Sequence, residues 1–72
     1  MNFGEALSIV KGGRKAARLG WNGQGQFLEL QVPDEHSKMQ RPYIYISPFG
    51  GNLVPWVASQ SDMLAEDWTE VA

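Results

Sequence analysis

Two stretches of the chain carry side chains suited to gripping a polar, planar molecule. Trp21-Asn22-Gly23 sets an indole beside an amide and a glycine. Trp56, Ser59 and Asp62 set a second indole beside a hydroxyl and a carboxylate. An indole face can stack on a nucleobase, a contact worth about 1–3 kcal/mol per base. Asn22, Ser59 and Asp62 can exchange hydrogen bonds with ribose hydroxyls or base edges. Gly20, Gly23 and Gly25 allow close backbone approach, and Arg18, backbone N–H groups near Gly23 or a helix N-terminus can meet phosphates. Each residue also has a purely architectural role open to it. Trp21 can be core, as large aromatics commonly are, and Ser59 with Asp62 three residues later can simply cap a helix.

Bond-breaking chemistry is poorly provided for. Nucleophilic catalysis needs a nucleophile, a base and an orienting group. Ser59 and Ser61 are present, but His36, the one histidine, lies in the polar run PDEHSKMQR. Asp62, Glu66 and Asp67 are near one another in sequence, yet carboxylates at a helix end are usually exposed, and nothing points to a raised pKa. The glycines match neither a dinucleotide fingerprint nor a phosphate-binding loop of the Gly-Lys-Ser/Thr kind. With no cysteine and one histidine, thiolate metal sites and disulfides are excluded. The expectation is a non-enzymatic binding protein with no catalytic residue, metal or cofactor.

The elements that would hold these groups can be read from periodicity. Residues 2–10 form a helix. Phe3, Ala6, Leu7 and Val10 share one face, Asn2 and Glu5 have capping-box spacing, and Gly12-Gly13 ends it. Residues 14–21 read as a strand, followed by the Asn22-Gly23 turn. In residues 26–32, Leu28, Leu30 and Val32 alternate with Phe27, Glu29 and Gln31. Residues 33–41 form a loop. In residues 43–47, Ile44 and Ile46 alternate with Tyr43 and Tyr45. Residues 49–52 are a hairpin connection, and the next strand contains Pro55, which marks an edge or a bulge that re-aims Trp56. Ser59 starts a short helix with Met63 and Leu64 as core, and residues 68–71 close the sheet, with Trp68 as packing.

The fold class is α+β: an N-terminal helix packed on a mainly antiparallel four- to five-stranded sheet, with a short second helix, as one domain over residues 1–72. Seventy-two residues without disulfides bury a modest core. The helix covers one sheet face and leaves Phe27, Tyr43 and Tyr45 on the other, so a homo-oligomer is expected. A net charge of −2 lacks the basic footprint of polymeric nucleic-acid binders. No stretch is long enough to span a membrane, no secretory leader is evident, and a cytoplasmic location is expected.

Four stretches carry a family likeness: NFGEAL at residues 2–7, KAARLGWNGQGQFL at 15–28, PYIYI at 42–46 and LVPWVASQSDMLAEDW at 53–68. In these the chain resembles a family of small phage and prophage proteins, the second type of Thoeris anti-defence protein. The resemblance implies a sponge. Such proteins bind a cyclic ADP-ribose isomer, the alarm signal of the Thoeris immune system, without degrading it, and some bind cyclic oligonucleotides. It also implies a homotetramer with ligand sites at subunit junctions, acting in the host bacterial cytoplasm. On this reading Trp21 and Trp56 flank the ligand, Asn22, Ser59 and Asp62 bond its polar groups, and Gly23 and its neighbours admit the phosphates. The competing readings are a cyclic-oligonucleotide sponge, a protein-interaction module that uses the aromatic sheet face, and a small hydrolase that turns the signal over.

Overall fold

A computed structural model describes residues 1–22, 25–49 and 51–72. The chain begins with helix α1 (Phe3–Lys11). Both expected end signals operate. The Glu5 N–H donates to Asn2 Oδ1 at 2.9 Å, and the Asn2 N–H donates to Glu5 Oε1 at 3.0 Å, so two orphan donors of the first turn are satisfied reciprocally. At the other end Gly13 takes φ +86°. The Gly13 N–H then reaches Val10 O at 3.0 Å and the Arg14 N–H reaches Ile9 O at 3.1 Å, the bond pair of a Schellman stop.

Five strands follow: β1 (Lys15–Arg18), β2 (Phe27–Gln31), β3 (Tyr43–Phe49), β4 (Asn52–Pro55) and β5 (Trp68–Val71), with helix α2 (Gln60–Leu64) before the last. They form one sheet in the order β4-β3-β2-β1-β5, and every pairing is antiparallel. The α+β expectation holds. Pro55 lies on the edge strand β4, where its missing N–H costs no ladder bond. The irregularity expected around it belongs to the partner strand. Ile46 opposes Val54 while Phe49 opposes Asn52, so β3 carries one extra residue, beside the cis Ser47–Pro48 peptide. Gly51 adopts φ +83° in the connection; Gly50, like the Gly23 half of the expected Asn22-Gly23 turn, lies outside the described residues.

Directly opposed residues of antiparallel strands share a face. Val54, Ile46, Leu28 and Ala16 therefore form a row across four strands, and α1 covers it with Ala6, Ile9 and Val10. Ala16 is 0% exposed and Trp68 2% exposed. The small residue lets the helix approach, and the large one fills the space beside it. Phe27, Tyr43 and Tyr45 take the other face, as the alternation predicts. There the Tyr45 hydroxyl donates to Glu29 Oε1 across the strands. That bond to a carboxylate, with burial adding to it, pushes the Tyr45 hydroxyl up to about 12. Lys15 Nζ stands 4.6 Å from the centre of the Phe27 ring.

Two expected core residues, Met63 and Leu64, are exposed, and so is Val32, which the alternation places on the face of Leu28 and Leu30. Val32 follows the end of β2, beyond the ladder that would turn it inward, and is 65% exposed. Met63 and Leu64 are 38% and 77% exposed. Helix α2 is only five residues long, too short to present a continuous apolar stripe to the sheet. Its anchoring is polar: the Trp68 indole Nε1–H donates to Asp62 O at 2.9 Å.

Truncating Trp68 to Ala should cost about 3–5 kcal/mol, close to the whole stability of a small domain. Circular dichroism and urea unfolding should then show a largely unfolded chain. Leu64→Ala should stay within about 0.5 kcal/mol of the parent. A large loss at Leu64 would show that its side chain is covered after all.

Candidate functional site

Trp68 is the buried centre around which the site is built. The Trp21 ring stands edge-on to it, with centroids 5.4 Å apart and planes at 79°, and Trp56 does likewise at 6.1 Å and 86°. Phe3 of α1 packs on both Trp56 and Trp68, at 6.0 and 5.5 Å. Trp21 and Trp56 are each half-buried. The residue after Pro55 stays tied to the sheet, because the Trp56 N–H donates to Ile44 O at 2.9 Å. Two indoles from distant parts of the chain thus lean on a third.

Between them lies an open cleft of about 560 Å³, bordered by Trp21, Asn22, Gln26, Trp56, Val57 and Asp62 among others. That is within the size range of small-molecule sites. Asp62 is its only charged border residue among those described. A second depression, of about 570 Å³, is bordered by Lys38 and Arg41 and shares Pro55 with the cleft.

Asp62 is heavily engaged. Its Oδ1 accepts from Arg18 Nη1 at 2.9 Å and from Trp21 Nε1 at 3.1 Å. Its backbone N–H donates to Ser59 Oγ at 3.0 Å, and its Oδ2 faces the Ser59 N–H at 3.4 Å, which closes the cap of α2. Burial alone would raise this carboxyl, but the bonds from Arg18, Trp21 and Ser59 outweigh it and hold it below its ordinary value. Asp67 is lowered chiefly by its bond to Arg18, and the Arg18 guanidinium is raised in turn by Asp67 and then Asp62. Arg18 Nε reaches Asp67 Oδ1 at 2.8 Å.

Of the residues expected to hold a ligand, Trp21, Asn22, Trp56 and Asp62 come together at the cleft. Ser59 does not border it; its hydroxyl caps α2, so the capping alternative accounts for its contacts. Gly23 lies outside the described residues. Arg18, considered for phosphate, is spent on two carboxylates instead. Gln26 and Val57 border the cleft without having been singled out. Gln26 precedes β2 and gave no signal beyond its polarity.

Residues 1–71 match the family described as Tad2-like, the Thoeris anti-defense 2-like domain. The chain is also similar to Thoeris anti-defense 2 of Bacillus phage SP01, at 36% identity over 85 residues, spanning 100% of this chain and 96% of that protein. The chain belongs to the Thoeris anti-defense 2-like family. Membership makes phage anti-defence its coarse function and places the Trp21–Trp56 cleft in a Thoeris anti-defense 2-like domain. No helix among the described residues is long and apolar enough to cross a membrane.

The carboxylate network sets an acid dependence. Both Asp62 and Asp67 are depressed in the fold from an ordinary value of 3.8. The unfolded chain therefore binds more protons just below that value. The network's contribution is complete above about 3.8 and is lost as pH falls through the lower folded values. Urea unfolding across a pH series should show stability falling below that point. Arg18→Gln should lower stability at neutral pH and flatten the acid decline. An unchanged acid slope in the variant would mean that the carboxylates owe their depression to other groups.

Proposed function

We propose that this protein is a sponge: it binds a cyclic ADP-ribose isomer in the Trp21–Trp56 cleft and withholds it, intact, from the Thoeris effector. The observation that carries this reading is two half-buried indoles bordering one cleft together with an amide and a hydrogen-bonded carboxylate. Trp21 and Trp56 supply apolar surface for a planar base. Asn22 supplies an amide that exchanges hydrogen bonds with ribose or base edges. Asp62, an acceptor with Oδ1 already filled, offers Oδ2 to hydroxyls or amino groups. Ser59 acts on the ligand through its cap, by fixing Asp62.

Holding without turnover draws support from where the reactive groups stand. Ser59 Oγ accepts the Asp62 N–H inside the cap. His36 is exposed beside Glu35 and does not border the cleft. The protein then acts in the host bacterial cytoplasm as a homo-oligomer, with a tetramer implied by the family resemblance. A second reading, sequestration of cyclic oligonucleotides, rests on Lys38 and Arg41 at the other depression, where cations could meet phosphates.

Calorimetric titration with cyclic ADP-ribose isomers should show tight binding, and heating the complex should release unaltered ligand by mass analysis. Altered ligand would make the protein an enzyme, and failure to bind any isomer would remove the cyclic ADP-ribose reading and leave the cyclic-oligonucleotide one to be titrated next. Asn22 is exposed, so Asn22→Ala should leave stability within about 0.5 kcal/mol. It should weaken binding about two- to tenfold, the worth of one net hydrogen bond. Unchanged affinity would take Asn22 out of the site.

A further inference from the structure

We propose that Asp67, which does not border the cleft, is a positioning residue that sets the pose of the Trp21 indole through Arg18 and Gly20. The proposal rests on the cleft being the ligand site. Asp67 uses both carboxylate oxygens on the segment that leads into Trp21: Oδ1 accepts from Arg18 Nε and Oδ2 from the Gly20 N–H, each at 2.8 Å. Its backbone carbonyl takes the Leu19 N–H at 3.0 Å. Three consecutive residues before Trp21 are thus held by one residue of the segment entering β5.

The hold continues into the cleft. Arg18, oriented by Asp67, donates from Nη1 to Asp62 Oδ1, and the same oxygen accepts Trp21 Nε1–H. Asp67 fixes Arg18, Arg18 fixes Asp62, and Asp62 fixes the indole. The Trp21 N–H also returns to Arg18 O at 3.3 Å, so ring and backbone are tied to the same anchor. Gly20 completes the arrangement for a steric reason. A Cβ there would stand 2.8 Å from Asp67 Oδ2, so a side chain at position 20 competes with the carboxylate for space.

The chemistry of Asp67 also explains why an amide is no substitute. The site presents two donors, Arg18 Nε and Gly20 N–H, and an asparagine has one acceptor oxygen and one donor group. Asp67→Asn therefore sets a donor against a donor on one side. Gly20→Ala disturbs the same carboxylate from the opposite direction, by volume.

The test uses the indole N–H resonances of the nitrogen-15-labelled protein without ligand, assigned with Trp21→Phe and Trp56→Phe. In Asp67→Asn and in Gly20→Ala the Trp21 resonance should move upfield, toward that of a water-exposed indole. The Trp68 resonance, whose N–H is held by Asp62 O, should stay in place. Affinity for the cyclic ADP-ribose isomer bound by the parent should fall at least about tenfold. If one variant fails to fold, the other decides. A stationary Trp21 resonance would overturn the proposal, as would movement of all indole resonances together, which marks a general structural role. If the Trp21 resonance moves while the parent binds no isomer, the positioning role stands and the ligand assignment falls.

Discussion

Burial of one indole ties the molecule together. Trp68 sits where α1, the sheet and α2 meet. It is 2% exposed, and Phe3, Trp21 and Trp56 all pack on it. Its backbone pairs with the chain's first residue: the Trp68 N–H donates to Met1 O at 3.1 Å, and Met1 N donates to Trp68 O at 2.8 Å. Its ring N–H anchors α2. A chain of this length buries few side chains completely, so a single large residue that touches every layer contributes more than several small ones would.

Asp62 is the polar counterpart of that indole. In one residue it completes a helix cap, accepts an arginine, accepts an indole N–H and borders the cleft. A partly buried carboxylate is costly unless its lone pairs are filled. Here the groups that fill them are also the groups that shape the site. Stability and site geometry therefore share the same hydrogen bonds, and the cleft wall is as rigid as the cap and ion pairs behind it.

The parts of this fold that sequence discloses are those set by neighbours along the chain. The Asn2–Glu5 and Ser59–Asp62 caps are interactions across three residues, and both were readable from residue type and spacing. Strand faces were readable from alternation, as at Leu28 and Ile46. Alternation does not say where a ladder stops, so it groups Val32 with Leu28 and Leu30 although Val32 lies past the end of β2. Nor does it say that α2 ends after five residues, so apolar type alone points Met63 and Leu64 at a core they do not reach. At the site, Trp21, Asn22, Trp56 and Asp62 were legible as chemistry, because an indole supplies a stacking face and the amide and carboxylate supply hydrogen bonds. The Arg18–Asp67 contact was not, since it joins residues 49 apart whose meeting depends on β1 lying beside β5. The same pairing diverted Arg18 from the phosphate role its charge suggested.

All three tryptophans of the chain belong to one cluster. The intrinsic fluorescence of the protein is therefore a local signal rather than an average over the molecule. Excitation absorbed by any indole is within easy transfer distance of the other two, and emission reports one shared neighbourhood. A molecule stacked on Trp21 or Trp56 would perturb the light from the whole chain, with no remote tryptophan to dilute the change.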